Sequence, residues 1–230
     1  MIQATSIHVP EHGRLFTMVK ILVISDTHDD SRSMEWTLNF LETERIDTVI
    51  HLGDYYDDAN ILELHGHNLI RVPGTWDTCY YPDPQVENRK FIDIEDWKIF
   101  LTHTPGSHYN DLADDIKPET IIAEGRADVF LYGHTHLAEI RHDDTMVYIN
   151  PGHLSSHENR GYPMTFGLLE FDHDTLHARI MRHASNTSCF RETFDKASLR
   201  MPKGIQIPLR SDRVSGHGET GSSPSPNIQE

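Results

Sequence analysis

The sequence predicts an α/β fold in which two sheets pack face to face with helices outside. Three observations lead there. Short runs rich in Ile, Val, Leu and Phe recur along the chain as KILVIS, DTVIHL, KIFLT and DVFLY, each the length of a buried strand. Each run is followed at once by metal-type ligands, in Asp26-Thr27-His28, Gly53-Asp54, His103 and Gly133-His134-Thr135-His136. After these, short Asp-containing turns join strand to strand, so the second half reads as more antiparallel than the first. A parallel sheet collects the carboxyl ends of its strands on one edge, where ligands bind. The Asp and His segments are therefore expected to form one cluster.

In chain order, residues 1–17 form a polar extension without periodicity, either a short arm or a stretch ahead of a start at Met18. It lacks the basic start and apolar run of a secretory signal. The regular alternation of elements spans 18–185. SRSMEWTLNFLETER is an amphipathic helix, capped by Ser31 or Ser33, with Trp36, Leu38, Phe40 and Leu41 on its buried side. Ala59 to Leu64 is a short helix and NLIRVPG a strand. FIDIEDWKIFLTH is a hairpin turned at Glu95-Asp96, and PETIIAEGRA is a helix opened by Pro118. EIRHDDTMVYINPG, TFGLLEFD and TLHARIMRH add strands around turns at Asp143-Asp144 and Asp172-His173-Asp174. From Asn186 the order fades into a C-terminal extension. From about 211 its Gly, Ser and Pro content marks a disordered tail.

Composition narrows the function. A hydrophobic fraction of 37% with no apolar run near the roughly 20 residues that span a bilayer gives a soluble chain with no membrane association. Its net charge of −16 repels phosphate backbones and disfavours extended nucleic acid as a partner. The isolated Cys79 and Cys189 read as free thiols and point to the cytoplasm. Homo-oligomerisation stays open. Of the histidines outside the motifs, His65, His67 and His183 read as surface residues.

Converging carboxylates and imidazoles would repel or stay unsatisfied without a cation, so the cluster is expected to take two divalent metal ions. Asp54 suits the bridging position, Asp26, His28 and His136 one ion, and His103 and His134 the other. In the Gly-His-Thr-His segment, His134 and His136 are expected on the same side of an extended chain. Mixed nitrogen and oxygen ligands favour Mn²⁺, the first choice, or Ni²⁺, Zn²⁺, Fe²⁺ or Co²⁺ over Mg²⁺ and Ca²⁺. Two such ions bind phosphate ester oxygens and turn a shared water into hydroxide near neutral pH. Because imidazoles bind metal only when neutral, activity is expected to fall as pH drops through roughly 6.5.

These motifs resemble those of the calcineurin-like metallophosphoesterases, in the small phosphodiesterase branch related to the retromer-subunit fold. That pattern is D-x-H, GDxxD, GN[HC]D, a lone His and GHxH. Here it stands as Asp26-Thr27-His28, Gly53-Asp54-Tyr55-Tyr56-Asp57, Gly74-Thr75-Trp76-Asp77, His103 and Gly133-His134-Thr135-His136, followed by Asn150-Pro151-Gly152. The resemblance implies a four-layer α/β/β/α sandwich, a dinuclear centre and hydrolysis of phosphodiesters or phosphomonoesters. The third motif departs from the pattern. Thr75 stands where the family has a metal-binding Asn, and Trp76 stands where a His often assists the leaving group. Either the second ion is held more weakly, or Thr75 and Trp76 shape a substrate wall.

The expected catalytic residues are Asp54, His103 and Asp77, with Thr75 joining the metal ligands. Asn150 and His153 are expected to close one side of the pocket, and Arg160 either grips a phosphate oxygen or is a solvated surface residue. Tyr55 and Tyr56 either stack against an aromatic or nucleobase leaving group or pack internally, and His108 either lines the pocket or belongs to a loop. The favoured function is a metal-dependent phosphodiesterase acting on a small-molecule phosphodiester. The alternatives are a weak or inactive protein-binding scaffold on the same fold, and a phosphomonoesterase. Retention of both His103 and His134 favours the enzyme over the scaffold.

Overall fold

The computed structural model describes residues 5–6, 18–80, 85–183 and 185–200. The tail expected beyond 211 and most of the 1–17 extension lie outside these residues. The elements in order are β1 (Thr5–Ser6), β2 (Val19–Ile24), α1 (Ser31–Thr43), β3 (Thr48–His51), α2 (Asn60–Leu64), β4 (Leu69–Arg71), β5 (Arg89–Ile94), β6 (Trp97–Thr102), α3 (Pro118–Glu124), β7 (Val129–Leu131), β8 (Glu139–His142), β9 (Val147–Asn150), β10 (Thr165–Asp172), β11 (Thr175–Arg182) and β12 (Ser188–Asp195).

They form two six-stranded sheets, ordered β12-β11-β10-β2-β3-β4 and β1-β5-β6-β7-β9-β8. Parallel pairing joins β2, β3 and β4 in one sheet and β6, β7 and β9 in the other. The hairpins β5–β6, β8–β9 and β10–β11–β12 are antiparallel. The second half is thus mixed, because β7 and β9 continue a parallel run around the β8 hairpin.

The apolar runs are continuous because their strands are covered on both faces. Along β2, Ile21 and Val23 face the other sheet and pack with Ile50, Ile99, Leu131 and Ile149. The alternate Leu22 and Ile24 pack outward against Met34, Phe40 and Leu41 of α1. On the far side, Phe100, Phe130 and Tyr148 cover Ile121 of α3. The result is the expected α/β/β/α sandwich. No helix among the described residues is long and apolar enough to cross a membrane.

Helix ends follow local chemistry. Asp30, not Ser31 or Ser33, caps α1, its Oδ1 accepting from the Ser33 N–H at 3.2 Å. Its Oδ2 accepts from the Ser156 N–H at 2.7 Å, so this cap also anchors the loop after β9. Pro118 opens α3 and Gly125, at φ 57°, closes it in the left-handed conformation.

Two further expectations are corrected. Order does not fade at Asn186, because β12 extends the first sheet along β11. Only Phe194 of β12 is buried, and such a polar edge strand gives little apolar signal. His183 is not a plain surface residue either. Its ring lies 4.2 Å from that of Trp36, and burial pushes its pKa down.

Candidate metal centre

The parallel strands of both sheets send their carboxyl ends to a common edge. Asp26 and His28 follow β2, Asp54 follows β3, and Thr75 and Asp77 follow β4. From the second sheet, His103 follows β6, and His134 and His136 follow β7. Contacts between the sheets fix their approach. The His103 Nδ1–H donates to Leu52 O at 2.8 Å, and the His134 N–H donates to Asp26 Oδ2 at 3.0 Å.

The turns that present these side chains are strained. Asp26, His28, Asp54, His134 and His136 all have left-handed backbones, with φ from 50° to 68°. A non-glycine residue held there costs of order 1–3 kcal/mol, and such strain concentrates at functional sites. Asp and His are among the types that tolerate it best. The Gly-His-Thr-His segment is therefore a tight turn and not the extended chain expected, with the Thr135 N–H donating to Gly133 O at 2.8 Å.

The ligand atoms form two groups, each within 4.8 Å: Asp26, His28, Asp54 and His136 in one, Asp54, His103 and His134 in the other. Asp54 belongs to both. Its Oδ1 lies 3.2 Å from His103 Nε2, and its Oδ2 lies 3.7 Å from His28 Nε2. Ring nitrogens face each other at 3.1 Å between His28 and His136, and at 3.2 Å between His103 and His134.

Divalent cations fit this arrangement on two counts. Thr75 Oγ1 is buried without a hydrogen-bond partner, and Asp26 Oδ1 faces only His136 Nε2 at 3.3 Å, which in a folded protein calls for an explanation. Facing imidazole nitrogens beside carboxylates also supply the mixed donor set of Mn²⁺, Fe²⁺, Co²⁺, Ni²⁺ or Zn²⁺. Thr75 is fully buried in the turn after β4. Thr75→Asn is expected to tighten the weaker ion by about tenfold, or 1.4 kcal/mol, in a calorimetric titration. Unchanged affinity would make Thr75 a wall residue.

Charge within the centre is interlocked. Burial opposes the Asp26 and Asp54 charges, but neighbouring imidazoles outweigh it and hold both carboxyls below their ordinary range. Burial also opposes a proton on His103, yet contact with Asp54 wins and lifts its pKa to about 9. His28 and His134 are pushed down, chiefly by burial, and stand ready as neutral ligands. The controlling proton is therefore on His103, above the 6.5 expected. Metal binding must displace it, so apparent affinity is expected to rise about tenfold per pH unit between pH 7 and about 9. In the metal-free protein, the raised His103 pKa contributes stability in full below 6.5. That contribution is lost as pH rises through about 9. Calorimetry in buffers of differing ionisation enthalpy, with melting curves on stripped protein, checks both.

The remaining expected site residues divide by position. Both oxygens of Asp77 accept from backbone N–H groups, those of Tyr55 at 3.0 Å, Tyr56 at 3.1 Å and Gly74 at 2.7 Å. Asp77 thus ties the β3 and β4 turns together. Asn150 and His153 do not close the pocket, since both are fully buried behind the Gly133–His136 turn. Asn150 Nδ2 donates to Gly133 O at 3.0 Å and Thr135 Oγ1 at 2.9 Å. His153 stacks on the His136 ring at 5.1 Å, with its Nε2 3.2 Å from Tyr162 O and its Nδ1 accepting from the Ser155 N–H. Arg160 is exposed, with Nη1 donating to His134 O at 3.0 Å.

A buried relay beneath the ligands was not expected. His51 Nδ1 accepts from the Gly53 N–H, and its Nε2–H donates to Thr27 Oγ1 at 3.2 Å. The Thr27 hydroxyl donates to Asp58 Oδ2 at 2.6 Å. Burial lowers the His51 pKa to about 4, so the ring stays neutral and fixes the turn before Asp54. The available signal was a lone His inside the apolar run DTVIHL. A cleft of about 470 Å³ opens beside the ligands, between Tyr55 and Tyr56 on one side and Trp76, Thr78 and Cys79 on the other.

Comparison with known proteins agrees with this geometry. The model of the calcineurin-like phosphoesterase superfamily domain matches residues 19–174. The chain is 30% identical to Phosphodiesterase MJ0936 of Methanocaldococcus jannaschii over 66% of its own length and 93% of that protein. It is 26% identical to Phosphodiesterase YfcE of Escherichia coli K12, over 67% of this chain and 89% of that one. Vacuolar Protein Sorting 29 from Cryptosporidium parvum shares the fold with a TM-score of 0.59 at 20% identity, over 78% of this chain and 99% of that one. The chain belongs to the calcineurin-like phosphoesterase superfamily, in the branch of the MJ0936 and YfcE phosphodiesterases.

Proposed function

We propose that the chain is a metal-dependent phosphodiesterase acting on small-molecule phosphodiesters, with Mn²⁺ as the working ion and the cytoplasm as its compartment. The observation that carries this reading is Asp54, one carboxylate shared by two ligand groups beside an open cleft. The names of the MJ0936 and YfcE relatives support it. Asp26, His28, His136 and Asp54 would hold one ion, and His103, His134 and Asp54 the other. When bound, such a pair supplies positive charge to phosphate oxygens and makes water a stronger acid.

The chain's own residues do the placing. Leu52 O fixes His103 with Nε2 toward Asp54. The three amides on Asp77 set the relative position of the β3 and β4 turns. Arg160 is exposed and tied by one N–H to the carbonyl of the ligand His134, which would let the rest of its fork take a phosphate oxygen. The test is hydrolysis of bis(p-nitrophenyl) phosphate by metal-stripped protein reloaded with Mn²⁺. Turnover that requires the metal is expected. No turnover by folded protein with Mn²⁺, Ni²⁺ or Zn²⁺ would contradict the reading and favour a binding scaffold. The Thr75 and Trp76 departures are what favour that alternative. The inward-facing His103 and His134 count against it.

A further inference from the structure

The cleft beside the ligands carries an unusual amount of exposed aromatic surface. Trp76 is 65% exposed, Tyr109 76% and Tyr55 49%. These rings connect to both ligand groups. Tyr55 meets His28 edge-on at 5.6 Å. On the other side, Trp76 meets Tyr109 at 5.8 Å, Tyr109 lies 4.2 Å from His108, and His108 lies 5.9 Å from His134.

The rings are also held in place. Asp77 directly follows Trp76 and accepts from the Tyr55 N–H, so one carboxylate positions the backbones of both walls. Asn110 Nδ2 donates to Thr75 O at 2.9 Å and ties the Tyr109 loop to the Trp76 turn. Between the walls the lining is acidic, with Asp57, Asp58 and Asp77. That lining disfavours any anionic group beyond the phosphate at the metal centre. A planar, uncharged ring system is what fits between exposed aromatic faces.

We propose that Trp76 and Tyr55 form a stacking cleft for the ester group retained on the phosphate, selecting phosphodiesters in which that group is a nucleoside without a second phosphate. The proposal rests on the phosphodiesterase reading above and assigns Trp76 as its main specificity-determining residue. In place of a residue that assists the leaving group, this chain then has one that binds the ester group.

The test compares thymidine 5′-(p-nitrophenyl phosphate) with methyl p-nitrophenyl phosphate, which share leaving group and charge. The kcat/KM ratio of the first to the second is expected to be about tenfold or more, the effect of one base–aromatic stack. Trp76→Ala should lower that ratio about tenfold, and Trp76→Phe should keep most of it. Phe190→Ala, an exposed aromatic on β12, should not move it. As a readout independent of turnover, adenosine 5′-monophosphate should quench tryptophan fluorescence saturably where ribose 5-phosphate does not, and Trp76→Phe should abolish the quenching. A wild-type ratio near one, a ratio untouched by Trp76→Ala, or quenching that survives Trp76→Phe would overturn the proposal with the phosphodiesterase reading intact. Failure to hydrolyse either ester would overturn both.

Discussion

Asp54→Asn is expected to lower metal-dependent turnover of bis(p-nitrophenyl) phosphate by about a thousandfold or more, an increase of roughly 4 kcal/mol in the barrier. Among the described residues no other ligand belongs to both groups, so this substitution removes a ligand from both at once. The substitution is nearly isosteric. Asn also tolerates the left-handed backbone that Asp54 adopts at φ 56°, so the fold should survive. Removing this charge also takes away the largest of the contacts that raise the His103 pKa. The His103 ring should then titrate well below 9, which NMR can follow. A variant that keeps a tenth of wild-type turnover would show that Asp54 does not link the two ions.

The second large effect concerns Gly74, which is not a ligand. A Cβ there would overlap Asp54 Oδ1 and the Asp54 backbone N, and would lie 2.8 Å from Asp54 Cα. The obstacle is mostly backbone, in a turn already fixed by the Gly74 N–H to Asp77, so it cannot move aside cheaply. Gly74→Ala should cost about 3 kcal/mol, typical of overpacking, and lower the melting temperature by about 6–12 °C at this size. Turnover should fall with it, since Asp54 is displaced. Gly106→Ala is the contrast, because its nearest neighbour is the end of the flexible Glu119 side chain at 3.2 Å. A Gly74→Ala protein as stable and active as wild type would mean that the approach of the β3 and β4 turns is unimportant.

Much of this was legible in the sequence for a physical reason. Strands buried on both faces must be apolar at every position, so KILVIS and DVFLY announce themselves. Ligands must follow such strands closely to reach the sheet edge, which places Asp26, Asp54, His103 and His134. The left-handed turns were less legible. An extended Gly-His-Thr-His would also have brought both imidazoles to one side, and only the backbone separates the two arrangements. Asn150 and His153 were misplaced because an amide or a ring nitrogen offers the same atoms to a substrate as to a buried carbonyl. β12 was missed because an edge strand buries one face at most, and here only Phe194.

The most direct measurement is the number of Mn²⁺ ions bound per chain at saturation, read from the electron paramagnetic resonance signal of the free ion. The two ligand groups sharing Asp54 lead to two ions in the wild type, with binding weakened at both sites in Asp54→Asn. One ion or none in the folded wild-type protein, or two held equally well without the Asp54 carboxylate, would contradict a centre organised around Asp54.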